Sequence, residues 1–124
     1  MKYSEIICKA AKTQKAVIKD FQKQLKKHNL HLLTLEESVF LIHLSQIKSD
    51  NITPQSVAAQ GMQMVKYLNF IINILESKKL ISITCENNDH RKILISLTKE
   101  GKQFTEIIDS FPVSKELLNE IMVS

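Results

Sequence analysis

The stretch Leu80-Ile81-Ser82-Ile83-Thr84, then Cys85, then Glu86-Asn87-Asn88-Asp89-His90-Arg91, then Lys92-Ile93-Leu94-Ile95-Ser96-Leu97 decides the fold. Its two apolar runs are short and rich in β-branched residues, and the polar hexad between them consists of turn formers, so they read as a β-hairpin. Around the hairpin the chain is helical. Only two Gly and two Pro occur in 124 residues, and punctuation this sparse leaves little room for further strands. Immediately upstream, a helix over 64–77 puts Met64, Leu68, Ile71, Ile72 and Leu75 on one side and Gln63, Lys66, Phe70 and Asn73 on the other. Before it, Thr53 caps a short helix opened by Pro54, where a missing N–H costs nothing. Gly61 then supplies the left-handed turn between these two helices.

Working outward, Thr34-Leu35-Glu36-Glu37 has the reciprocal capping pattern, so a helix should run from Leu35 to about Ile47. From Ser4 to His28, Ile7, Ala10, Ala11, Val17, Ile18, Phe21 and Leu25 recur at three-and-four spacing opposite a lysine-rich side, which predicts one long amphipathic helix. Downstream, Thr98 caps a helix that runs until Pro112, and Ser114 caps a last one over Lys115 to Met122. The expected order is four helices, two strands and two helices. That is a mainly α fold with a small β-hairpin wing, a winged helix-turn-helix in one domain spanning 1–124.

Composition excludes several classes. Hydrophobic residues at 44% and charged residues at 24% are ordinary for a globular chain. The longest apolar run, Leu68 to Leu75, is interrupted by Asn69 and Asn73 and is far shorter than the roughly 20 residues of a membrane span. The first residues lack the layout of a secretory signal, so the expected location is the cytoplasm and Cys8 and Cys85 are expected as free thiols. Phosphate loops, nucleophile elbows and metal-protease helices are missing from the sequence, so no enzyme and no cofactor are expected. Of His28, His31, His43 and His90 with the two cysteines, His28 and His31 at i, i+3 span a helix end and no second pair has ligand spacing, so no metal is expected. The net charge of +4 is unevenly spread: residues 1–30 carry eight Lys and two acids, a balance of +6, whereas 104–124 carry one Lys and four acids, a balance of −3. Such asymmetry suits a polyanion partner, although a lysine-rich helix is also what a solvated face looks like.

A helix laid in the DNA major groove beside a hairpin that reaches the neighbouring backbone is how winged helices meet a duplex. Gln63 and Asn73 suit adenine edges, Lys66 a guanine or a phosphate, and Phe70 thymine methyls. The segment from 64 to Gly101 resembles the MarR-type regulators. Leu75-Glu76-Ser77-Lys78-Lys79-Leu80-Ile81 is similar to that family's exit from the recognition helix. Asp89-His90-Arg91-Lys92, followed by Ile95-Ser96-Leu97-Thr98-Lys99-Glu100-Gly101, is similar to its wing. The short chain, and Thr34-Leu35-Glu36-Glu37-Ser38-Val39-Phe40-Leu41 after a lysine-rich helix, resemble the SarA branch, with about residues 4–110 covered in all.

The resemblance implies a homodimer built by terminal helices 4–28 and 98–122, binding double-stranded DNA at promoters. Its DNA-binding residues would be Gln63, Lys66, Tyr67, Phe70 and Asn73 on the helix and Asn87, Asn88, Asp89, Arg91 and Lys92 on the wing, with Asp89 orienting Arg91. Phe70 and Cys85 stand where the family often has basic residues. Some relatives sense oxidants through a cysteine in the first helix, which makes Cys8 a candidate redox sensor. Lys9 and Lys12 near it would favour its thiolate if the site is not buried in apolar surroundings, and packing filler, since cysteines pack well at helix interfaces, is the preferred reading. A small-molecule effector is a further input that such regulators take. The rival reading is a winged-helix protein-interaction module that antagonises a related regulator, resting on exposed Phe70 flanked by Tyr67 and Ile74.

Overall fold

The computed structural model describes residues 2–10, 15–30, 32–49, 51–59, 67–86 and 89–123, with the backbone alone for 86, 89–92 and 123. The elements in order are α1 (Tyr3–Lys9), α2 (Lys15–Lys27), α3 (Leu35–Gln46), α4 (Pro54–Ala58), α5 (Leu68–Ser77), β1 (Ile81–Glu86), β2 (Asp89–Leu97), α6 (Lys99–Asp109) and α7 (Lys115–Val123).

Helix α3 is the centre of the core. Ser38, Phe40, Leu41, Ile42, His43 and Leu44 are all buried, so it is enclosed on nearly every side, with α1, α4, α5, α6 and β2 packed around it. Its start is the expected capping box: Glu37 N donates to Thr34 Oγ1 at 3.2 Å and Thr34 N to Glu37 Oε1 at 3.4 Å. Thr53 and Ser56 form a second reciprocal pair at the start of α4. Burial holds the His43 imidazole below its ordinary pKa, so the ring sits neutral in the core.

The single helix expected over 4–28 is corrected. Ala10, with φ −69° and ψ 130°, is extended and ends α1. In one straight helix Tyr3 and Phe21 would lie roughly 27 Å apart, yet their ring centroids are 5.9 Å apart. Tyr3 also packs edge-on against Phe111 at 5.2 Å and donates its hydroxyl to the Asp20 carboxylate. Folding α1 back buries Tyr3, Ile6 and Ile7, which a straight helix would carry away from Phe21 and Phe111.

Two helices end in left-handed residues that are not glycine. Asn29 has φ 58° and Lys79 φ 62°. In each case the following amide reaches back five residues, Leu30 N to Leu25 O at 2.8 Å and Leu80 N to Leu75 O at 3.0 Å, the hydrogen bond of a Schellman cap. The turn expected at Gly61, and the first turn of the helix expected from Met64, lie outside the described residues. In α5 the expected inner residues Leu68, Ile71, Ile72 and Leu75 are buried.

The hairpin is antiparallel, with Ile81 opposite Leu97 and Ile83 opposite Ile95, and it is longer than the apolar pattern predicts. Glu86 pairs with Asp89 after a register shift past Cys85–Ile93, so residues 86 and 89–91, expected in the loop, belong to the strands, with an irregularity in β2 between the two pairs. Backbone pairing needs no apolar side chains, and the strands therefore continue past the part that packs on the core. That inner part is anchored by Ile95 N donating to Ile52 O at 2.8 Å.

Thr98 joins the hairpin to α6. Its hydroxyl accepts from Gly101 N at 3.1 Å and donates to Lys79 O at 2.6 Å, while its amide donates to Leu80 O at 3.1 Å. A Cβ on Gly101 would stand 2.1 Å from the Leu80 carbonyl oxygen. Gly101→Ala, which in an open helix would gain about 1 kcal/mol, is expected to lose about 2 kcal/mol or more because backbone must move. Urea unfolding reads the sign, and a raised midpoint would refute the close approach. For His43 the unfolded chain takes up its proton near pH 6.5 while the folded chain resists it. Stability is therefore expected to fall as pH drops through that value, and His43→Gln to flatten this limb of the pH–stability curve.

Candidate nucleic-acid interface

The outward face of α5 follows from its inner one. With Leu68, Ile71, Ile72 and Leu75 turned inward, Asn69, Phe70, Asn73 and Glu76 are left outside. Phe70 is 65% exposed and Tyr67, just before the helix, 47%. Ile74, expected with them in an apolar patch, is half-buried. Tyr67 and Phe70 form one wall of a cleft of about 250 Å³, and Thr34, Glu36 and Glu37 from the first turn of α3 form the other. Of the helix residues named from the sequence, Tyr67, Phe70 and Asn73 are thus together on one exposed face, and Gln63 and Lys66 lie outside the described residues.

The wing residues sit on the outer half of the hairpin. Asp89, Arg91 and Lys92 belong to β2, while Asn87 and Asn88 fall outside the described residues. Ile83 pairs with Ile95, where the strand is bonded to the core, and Glu86, three residues further along β1, pairs with Asp89, so the paired hairpin projects by roughly 10 Å beyond that bond. Helix and hairpin are held together by the turn between them. Lys78 Nζ donates to Leu32 O at 2.9 Å and to Glu37 Oε1 at 3.3 Å. Sequence reasoning missed this pairing, because nothing local links residues 41 positions apart.

Cys8 lies on α1, among the core-facing residues and apart from α5 and the hairpin. Its charge environment reverses the expected one. Burial first, then the Asp109 and Glu5 carboxylates, push the thiol up to about 11, and Lys12 is outside the described residues. Cys85 on β1 is exposed. Among the described residues no three His, Cys, Asp or Glu side chains gather as a metal site, and no helix is long and apolar enough to cross a membrane.

A short capped helix, a second helix with an open polar and aromatic face, and a projecting hairpin define a winged helix-turn-helix protein, with further helices at both ends. Solved structures share this architecture. The DNA-bound form of a mutant MepR from Staphylococcus aureus superposes with a TM-score of 0.64 at 21% identity, over 85% of this chain and 81% of that one. MepR itself, a transcription regulator of the S. aureus multidrug efflux pump MepA, gives 0.58 at 24% identity over 83% and 82%. A probable transcriptional regulator from Pseudomonas aeruginosa gives 0.59 at 14% identity over 85% and 76%. No curated protein sequence matches. The chain belongs to the SarA/Rot family of transcriptional regulators, whose family model matches residues 19–108. Its members are regulators and not enzymes.

The thiols provide a check on the packing of α1. At pH 8 iodoacetamide should label exposed Cys85 at least about tenfold faster than Cys8, and labelling of Cys8 should climb with pH toward its raised pKa. Peptide mass spectrometry follows both, and equal rates at pH 8 would contradict the buried placement of Cys8.

Proposed function

We propose that this chain is a cytoplasmic, homodimeric DNA-binding transcription regulator, a single winged domain whose terminal helices make the dimer contact. The observation that carries the reading is the open face of α5, with Tyr67, Phe70 and Asn73 together, beside a hairpin that stands clear of the core. The DNA-bound MepR structures, alike in fold, support it. In this reading the helix carrying Gln63, Lys66, Tyr67, Phe70 and Asn73 enters the major groove. The hairpin carrying Asn87, Asn88, Asp89, Arg91 and Lys92 grips the flanking backbone or minor groove. Two protomers place their helices in successive grooves, about one helical turn apart. A small-molecule effector has a place in the cleft of about 470 Å³ between Leu32, Leu33, Lys78, Leu80 and Phe104, which joins the α2–α3 connection to the turn after α5. Oxidant sensing through Cys8 draws no support from its raised pKa, which keeps the thiol protonated at neutral pH.

One observation favours a second reading, a protein-interaction module that antagonises a related regulator. Helix α5 contains no Lys or Arg, and its most exposed large hydrophobic side chain is Phe70. An aromatic ring among polar residues without cations is a typical anchor for a protein partner.

Fluorescence anisotropy with AT-rich promoter fragments separates the two. Salt-sensitive binding of DNA by the purified protein supports the first, and binding of another regulator in the absence of any DNA affinity supports the second. Within the first, Arg91→Ala should weaken all sequences alike and lower the salt slope by about one unit per phosphate contact. Asn73→Ala should cost about 1–3 kcal/mol at the preferred site and little elsewhere. Equal losses on matched and scrambled fragments for both variants would undo the groove assignment.

A further inference from the structure

Helix α2 carries the densest positive charge among the described elements. Within Lys15–Lys27, Lys15, Lys19, Lys23, Lys26 and Lys27 are all exposed, against one acid, Asp20, which accepts the Tyr3 hydroxyl. At 100° per residue these lysines cover about a third of the helix circumference, directly opposite buried Val17, Phe21 and Leu25. None of them is ion-paired among the described residues, where the one salt bridge is Lys78 to Glu37.

The winged segment is poorer in free cations. Neither α5 nor β1 contains Lys or Arg, Lys78 is engaged by Glu37 and the Leu32 carbonyl, and the cations of the described segment from α5 through β2 are otherwise Lys79, Arg91 and Lys92. Duplex affinity comes mainly from neutralised phosphates, so much of it has to be supplied elsewhere.

Placement indicates where. Gln22, Leu25 and Lys26 of α2 share a groove with Leu33 and Leu35, and the adjoining turn of α3 shares its own cleft with Tyr67 and Phe70. Lys26, at one edge of the lysine face, thus lines a groove that adjoins, through residues 33–37, the cleft beside the open face of α5. Lys15 to Lys27 spans roughly 18 Å, the length over which one DNA strand presents about five phosphates.

We propose that the lysine face of α2 is a second DNA-contact surface, holding the backbone of the duplex that flanks the site bound by α5 and the hairpin. It rests on the DNA-binding reading above and adds to it a requirement for DNA beyond the site itself.

The test uses the full chain and a variant with Lys19→Gln, Lys23→Gln, Lys26→Gln and Lys27→Gln together, since glutamine keeps nearly the same helix propensity. Circular dichroism checks the fold. Affinity is measured against salt on an AT-rich fragment of about 20 base pairs, enough for two half-sites, and on one of about 40 base pairs. On the longer fragment the variant should lose about tenfold or more in affinity, and its salt slope should fall by roughly one unit for each lysine that meets a phosphate. On the shorter fragment it should match the wild type. Wild-type and variant slopes that agree on both fragments overturn this proposal and leave the DNA-binding reading standing. Absence of wild-type binding to either fragment overturns both. A variant that changes oligomeric state in sedimentation, with DNA slopes intact, overturns it in favour of a contact between the lysine face and the acidic α7 of a second copy.

Discussion

Lys78 donates to Glu37 at 3.3 Å and to the Leu32 carbonyl at 2.9 Å, and the relation of α5 to the hairpin depends on that small knot. Glu37 is already committed to the first turn of α3, where it closes the capping box, and its side chain is only 6% exposed. Removing Lys78 would leave a nearly buried carboxylate without its cation. Such a loss costs about 3–5 kcal/mol in a fully buried pair, and about 1–2 kcal/mol here because Lys78 itself is 37% exposed. One residue on, Lys79 takes the left-handed conformation that turns the chain into β1, and its carbonyl accepts from Thr98 at the far end of the hairpin. Both hairpin ends, the exit of α5 and the entry of α6 therefore meet within four residues of Lys78 and Thr98. Glycine at 101 lets α6 approach the Leu80 carbonyl closely enough for this.

What the sequence made legible was local. Thr34, Thr53, Thr98 and Ser114 each cap the helix that follows, because a cap is written within four residues and needs no tertiary partner. The inner face of α5 and the inner half of the hairpin were legible for a similar reason, since periodicity states which side is apolar. The break after Lys9 was not. Apolar spacing runs across it, and what ends α1 is the long-range packing of Tyr3 on Phe21 and Phe111. The left-handed Lys79 was equally hidden, because the sequence offers no glycine there to mark it.

The site shows the same division. That Phe70 and Asn73 face outward follows from helical spacing, whereas their neighbours do not: the first turn of α3, more than 30 positions away, supplies the opposite wall of the cleft. The adjacent lysines did not decide the environment of Cys8, because burial comes first and Asp109, which helps raise its pKa, approaches from α6. Neighbours in sequence predict capping and face, and charge at a buried thiol is set by neighbours in space.

An exposed Phe70 changes what α5 can contribute to binding. Burying the rest of a phenylalanine ring against a thymine methyl or a protein surface is worth roughly 1–2 kcal/mol, comparable to the 1–3 kcal/mol of one good base-edge pair. Unlike a lysine–phosphate contact, that gain releases no counterions and so hardly varies with salt. In the proposed DNA-binding function, α5 with Phe70 and Asn73 outside and no cation in its described length would therefore favour discrimination over attraction. Attraction then falls to charged groups off the helix, and its strength can vary with ionic conditions while the preference among sequences stays fixed. Under that proposal the two roles separate: Phe70 on a duplex would add selectivity, and the approach of the duplex would not depend on it.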